Sequence, residues 1–399
     1  MEPVLPTTCS EFSCVRDGMT IRGLVYRPEK LPAPGAKLPV AIFSHGFTGN
    51  YHDTMPYAET FAKMGFLSLC FDFNGGCLKG TSDQDTTKMS IYTEAADLKA
   101  VIRHARALDS ADPDDITLMG FSQGSVVSAI TASELQKEIR RLILFYPALC
   151  MPDDARKGSM QLARFDPQNI PETFYCGRMK LGAVYAQSIQ RDDFRDYLKY
   201  QGPTLIVHGT ADTIADVRYS IEAARIMKDA RLFLVSGAGH NFRKKEEWQQ
   251  ASLGATVQFV TGYEEFTRVD VACREAVSRP DGALTRVSIP FGGTAEGAFT
   301  GTILPGASDE QTYQGERNLS MCADYTIQGK DSDGVSGTLH VINRGAAGNW
   351  HPTVTAEGGI LSGFDLSDCH AVLDARPTGP MVHLYAKKRE NAQGREIPH

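Results

Sequence analysis

Between about residues 38 and 240, short apolar runs rich in β-branched residues alternate with longer stretches in which apolar residues recur every three or four positions. The runs at 39–44, 66–73, 116–119, 142–145, 204–207 and 231–235 predict strands. Their largely apolar character suits strands buried on both faces of a sheet. Residues 93–108 set Ala95, Leu98, Val101, Ile102, Ala105 and Leu108 at helical spacing, and 216–227 behaves similarly. Both read as covering helices, and a further helix is expected over about 244–263. This alternation predicts βα units around a parallel sheet.

Two segments break the rhythm. From about 150 to 200, prolines, charges and isolated aromatics intervene between two strands, as an inserted lid would. Beyond about Thr267, glycine-punctuated alternating segments at 286–290, 337–343 and 381–386 predict an all-β domain, a small barrel or sandwich. The expected organisation is an α/β domain over 1–266, with its lid at about 150–200, and an all-β domain over 267–399.

The chain has 399 residues, which suits two domains, and its 42% hydrophobic and 22% charged residues are those of an ordinary folded protein. A net charge of -7 gives no broad attraction to phosphate backbones or anionic membranes, so neither nucleic acid nor membrane is an expected partner. Residues 1–10 lack the basic cluster and apolar run of a signal peptide. The nine cysteines form no C-x-x-C pair or zinc spacing and read as reduced thiols, so a cytoplasmic setting and no metal are expected.

The chemistry concentrates in three loops. Gly120-Phe121-Ser122-Gln123-Gly124 follows an apolar strand and precedes a helix-compatible stretch, the context of a nucleophile elbow. A serine hydroxyl needs a base, and the base needs a group that fixes its tautomer. Asp212 follows the strand at 204–207, and His240 sits in the glycine-rich loop after the next strand, giving the order Ser, acid, His. The plainer readings are a turn aspartate and a surface histidine. Phe47, after the first strand, and Gln123, after the nucleophile, can supply backbone donors to an oxyanion. His45 reads as a loop-shaping residue and His208 as a packed histidine. No phosphate loop or dinucleotide fingerprint is present, and no cofactor is expected.

With those residues placed, the region 20–262 resembles the bacterial feruloyl (cinnamoyl) esterases of the α/β-hydrolase fold. The resemblance rests on H-G-F-T-G at 45–49, G-x-S-Q-G at 120–124, H-G-T-x-D at 208–212 and G-A-x-H at 237–240, with lid segments at 165–171 and 181–185. It implies that Asp154, Gln161 and Tyr185 offer polar groups to the phenolic end of a hydroxycinnamate, while Phe174 and Tyr175 line an aromatic slot. Otherwise Asp154 caps a lid helix and Tyr185 packs. Phe121 and Ser125 depart from the His and Gly usual in that family, and 73–76 lacks the more familiar histidine. The region 270–390 resembles a barrel-like domain family of unknown function through 292–294, 301–307 and 343–345; Trp350 and His351 could bind a glycan, but dimerisation or lid support is the preferred role.

The expected activity is therefore serine-dependent hydrolysis of hydroxycinnamate esters, such as a feruloylated sugar, with a possible homodimer formed through the β domain. The alternatives are a general short-chain acyl esterase or thioesterase, and a catalytically idle binding protein.

Overall fold

The computed structural model describes residues 6–31, 33–83, 85–346, 349–374 and 379–389. Contacts divide the described residues into two compact units, one running to Thr256 and a second from Val257 onward. The boundary falls inside the helix Glu246–Thr261.

The first unit is built on an eight-stranded sheet. In chain order its elements are β1 Thr7–Arg16, β2 Met19–Pro28, β3 Leu38–Ser44, α1 Met55–Lys63, β4 Leu67–Phe71, α2 Ile91–Arg106, β5 Ala111–Phe121, α3 Gln123–Glu134 and β6 Arg141–Phe145. The lid follows as α4 Met151–Lys157, the short strands β7 Ser159–Met160 and β8 Ala163–Arg164, the hairpin of β9 Thr173–Cys176 and β10 Met179–Gly182, and α5 Val184–Gln187. The unit closes with β11 Thr204–Gly209, α6 Val217–Ile226, β12 Ala230–Val235 and α7 Glu246–Thr261.

Sheet order is β1-β2-β4-β3-β5-β6-β11-β12. From β4 to β12 neighbours run parallel, whereas β1 and β2 pair antiparallel with each other and β2 with β4. The parallel strands at the centre are fully or almost fully buried, as strands covered by helices on both faces must be. Helix α3 is buried from Gln123 to Ala132, so the segment behind Ser122 is locked into the core. The sequence reading gave no strand to 7–28. There β1 is a mostly exposed edge strand, whose polar residues face water and leave no apolar run to recognise.

The second unit holds β13 Tyr263–Cys273, β14 Val277–Asp281, β15 Leu284–Gly297, β16 Phe299–Ile303, β17 Ser308–Gln314, β18 Arg317–Asp331, β19 Ser336–Ala346, β20 Asn349–Glu357, β21 Phe364–Asp374 and β22 Met381–Lys388. These ten strands pair antiparallel around a separate small core containing Phe266, Phe299, Ile327, Leu339, Val341 and Leu384. The side chains of Trp350 and His351 lie outside the described residues.

Among the described residues no helix is long and apolar enough to cross a membrane. All nine cysteines are free thiols.

Candidate active site

The turn from β5 into α3 carries Ser122 at φ 52, ψ -115, a conformation that L-residues rarely adopt outside strained functional turns. Its flanking glycines make the turn sterically possible. A Cβ on Gly120 would sit 2.3 Å from the carbonyl oxygen of Gly124, and one on Gly124 would sit 2.3 Å from the carbonyls of both Ser44 and His45. Ser125 anchors the same turn: its hydroxyl lies 2.7 Å from the Gly120 carbonyl and 3.0 Å from that of Phe145.

His240, in the loop after β12, places Nε2 3.0 Å from the Ser122 hydroxyl. Its Nδ1 lies 2.7 Å from Oδ2 of Asp212, in the turn after β11. The other Asp212 oxygen accepts the backbone N–H groups of Ile214 and Ala215 at 2.8 and 3.0 Å. Burial alone would raise the pKa of this carboxyl, but hydrogen bonds from His208 and His240 hold it well below the usual carboxylate range. The result is a serine, a base and a buried carboxylate in one line, able to remove and return a proton.

His208 does more than pack. Its Nε2 faces Oδ2 of Asp212 at 3.2 Å and the Ala215 carbonyl at 2.9 Å, and Nδ1 meets the Ser220 hydroxyl at 2.7 Å. Two acceptors at Nε2 put the proton there, so the ring donates to Asp212. The signal in the sequence was the four-residue spacing of His208 and Asp212, which brings a strand-end ring over the turn that follows.

The loop 45–49 presses against the elbow, since a Cβ on Gly46 would lie 3.2 Å from Cβ of Ser122. It carries Phe47 and, at φ 64, Thr48. His45 is fully buried; its Nδ1 lies 2.8 Å from the Gly46 carbonyl, and its Nε2 accepts the Phe73 N–H at 3.2 Å. His45, Asp72 and Cys77 bring ligand-type atoms within 4.8 Å of one another. Asp72 is already engaged there, accepting from Tyr51 and Thr81 at 2.7 to 2.9 Å.

Ser122 and His240 open into a cleft of about 840 Å³. Seven described non-glycine residues have positive φ, and five of them (Thr48, Ser122, Tyr146, Gln161 and Asn241) line this cleft, the concentration of strain expected at a functional site. Phe121 is a wall of the cleft and packs against Tyr57 and Phe145 at 4.8 and 5.2 Å between ring centres.

Of the lid residues singled out in the sequence, Gln161 reaches this cleft. Tyr185 is buried on α5, with its hydroxyl donating to Gln123 Oε1 at 2.6 Å. Asp154 sits half-buried on α4, its pKa raised by burial, and Phe174 packs against Phe165 inside the lid. Tyr175 points outward from β9 and is 64% exposed.

Comparison with known proteins agrees with this fold. Residues 36–196 match the family described as "Serine aminopeptidase, S33" (Hydrolase_4). The quorum-quenching protein AidA of Acinetobacter baumannii (strain MDR-ZJ06) is 29% identical over 94 residues, a stretch that covers 23% of this chain and 30% of that relative. Among solved structures, Est1E from Butyrivibrio proteoclasticus with bound ferulic acid superposes with a TM-score of 0.56 and 26% identity, covering 63% of this chain and 99% of that one. DcsB, in complex with its substrate analogue, gives a TM-score of 0.52 at 21% identity, covering 64% of this chain and 99% of that one, and bears on the fold alone. By its sheet order, its elbow and these matches, the first unit has the α/β-hydrolase fold.

Proposed function

We propose that this protein is a serine carboxylic-ester hydrolase that releases hydroxycinnamic acids from their esters. Ser122 attacks the ester carbonyl while His240 takes its proton, and the backbone N–H groups of Phe47 and Gln123 receive the oxyanion. His240 then returns the proton to the departing alcohol, water hydrolyses the acyl-enzyme, and Asp212 keeps His240 in the right tautomer throughout. The observation that carries this reading is the unbroken hydrogen-bond chain from Ser122 through His240 to Asp212 at the mouth of an open cleft.

The aryl-acrylate preference is supported by the likeness to ferulate-bound Est1E, at 26% identity over nearly the whole of that chain. Aromatic walls at Phe47, Tyr57, Phe121 and Tyr146 suit a flat conjugated acyl group. The test is hydrolysis of methyl ferulate, methyl p-coumarate and p-nitrophenyl butyrate by wild type and Ser122→Ala. Preference for the two hydroxycinnamates with an inactive alanine variant is the expected outcome. Turnover of the butyrate alone would replace this reading by a short-chain acyl esterase, and an active alanine variant would remove Ser122 as nucleophile.

A further inference from the structure

The two oxyanion donors invoked above come from separate parts of the chain, Phe47 from the loop after β3 and Gln123 from the first position of α3. Donors placed independently must be held in register to within a fraction of an ångström to stabilise a transition state. One side chain touches both residues. The Tyr185 ring stacks on the Phe47 ring at 5.5 Å between centres with 29° between planes, and its hydroxyl donates to the Gln123 side chain at 2.6 Å.

We propose that Tyr185 is a positioning residue that couples the lid to the oxyanion hole, bracing Phe47 with its ring and Gln123 with its hydroxyl. The inference rests on the serine-esterase reading and departs from the role that family resemblance gave Tyr185, that of a contact to the phenolic end of the substrate.

The buried network around Gln123 fixes the sense of this brace. Nε2 of Gln123 donates to Oε2 of Glu94, on α2, at 2.8 Å, which turns the amide oxygen toward Tyr185. Tyr185, Gln123 and Glu94 are 3%, 1% and 1% exposed, so bulk solvent does not compete for these bonds. Burial, with Glu94 nearby, raises the Tyr185 phenol well above its ordinary value and keeps it a donor. Tyr185 does not line the cleft into which Ser122 opens, whereas Phe47 does. Since α5 is part of the lid, the oxyanion hole is complete only when the lid is seated, whatever acyl group occupies the cleft.

The experiment compares wild type and Tyr185→Phe, which keeps the ring and removes the hydroxyl, on methyl ferulate, methyl cinnamate and p-nitrophenyl butyrate. Active-site titration with a fluorophosphonate counts folded sites, so loss of folded protein cannot pass for slow catalysis. The expected result is a roughly tenfold lower kcat on all three esters with KM within about twofold. A trifluoromethyl ketone, whose hemiketal with Ser122 carries an oxyanion, should bind weaker by the same factor. Glu94→Leu, which frees the far end of the Gln123 amide, should reproduce the pattern. A defect confined to methyl ferulate and expressed in KM would overturn the proposal in favour of a substrate contact, and unchanged kinetics in both variants would overturn it outright. Activity in Ser122→Ala would instead sink the esterase reading, a result independent of these.

Discussion

Asp212 illustrates how much a single residue depends on its neighbours. A carboxylate with a fully buried side chain would ordinarily be driven neutral, yet four donors converge on it: His240, His208 and the N–H groups of Ile214 and Ala215. Because its pKa is depressed in the folded protein, it contributes stability that is present above its unfolded value near 3.9 and is lost as pH falls through the folded value. Replacing the carboxylate should be costly for catalysis: Asp212→Asn is expected to lower kcat on the order of 10³- to 10⁴-fold, read by steady-state kinetics at pH 7. His208→Leu leaves Ser122, His240 and Asp212 in place and removes one donor. We expect a loss of about tenfold in kcat with KM little changed, and a full-rate His208→Leu enzyme would reduce that histidine to packing.

At the scale of elements, the elbow is a contact between backbones. Gly124 lies where β3 passes under α3, and any side chain there would drive into the carbonyls of Ser44 and His45 at 2.3 Å. Gly124→Ala, which in an ordinary helix would gain about 1 kcal/mol, is therefore expected here to destabilise the fold and to abolish ester hydrolysis, which melting curves and kinetics on the same preparation would reveal. Helix α2 contributes differently, by delivering Glu94 beneath the elbow. Burial there, reinforced by Asp97 and opposed by the Gln123 bond, raises the Glu94 pKa to about 8. The folded state then holds a proton that the unfolded chain gives up near pH 4.5, so this group costs stability as pH rises from about 4.5 to 8 and adds no further cost above that. Glu94→Gln should flatten that slope: its melting temperature relative to wild type should improve between pH 5 and pH 8, and a constant difference would show that Glu94 does not titrate there.

For the whole molecule, the two units have separate cores. All the groups assigned to catalysis lie within residues 5–256, and Phe299 is a fully buried residue of the other core. Phe299→Ala should destabilise the β unit by about 3 to 5 kcal/mol while leaving kcat/KM for methyl ferulate unchanged. Calorimetry with parallel assays checks both halves, and a coupled loss of activity would mean that the β unit supports the chemistry.

Local patterning was enough to make the parallel core legible. Residues 39–44, 66–73, 142–145 and 204–207 are apolar because both faces of these strands are covered, and the glycines around Ser122 are there because only glycine fits the elbow. The chain order of Ser122, Asp212 and His240 followed from loops at strand ends, where the fold leaves little freedom. Other features had no local signature. The edge strand β1 is polar and short of apolar alternation, the small lid strands are two to four residues long, and a buried polar residue such as Glu94 looks in sequence like any surface glutamate of a helix. Tyr185 shows the limit most clearly. Its identity was written in the chain, but whether its hydroxyl faced a substrate or Gln123 depended on α2, α3, the loop after β3 and the lid meeting at one point, a matter of long-range packing that only the tertiary structure decides.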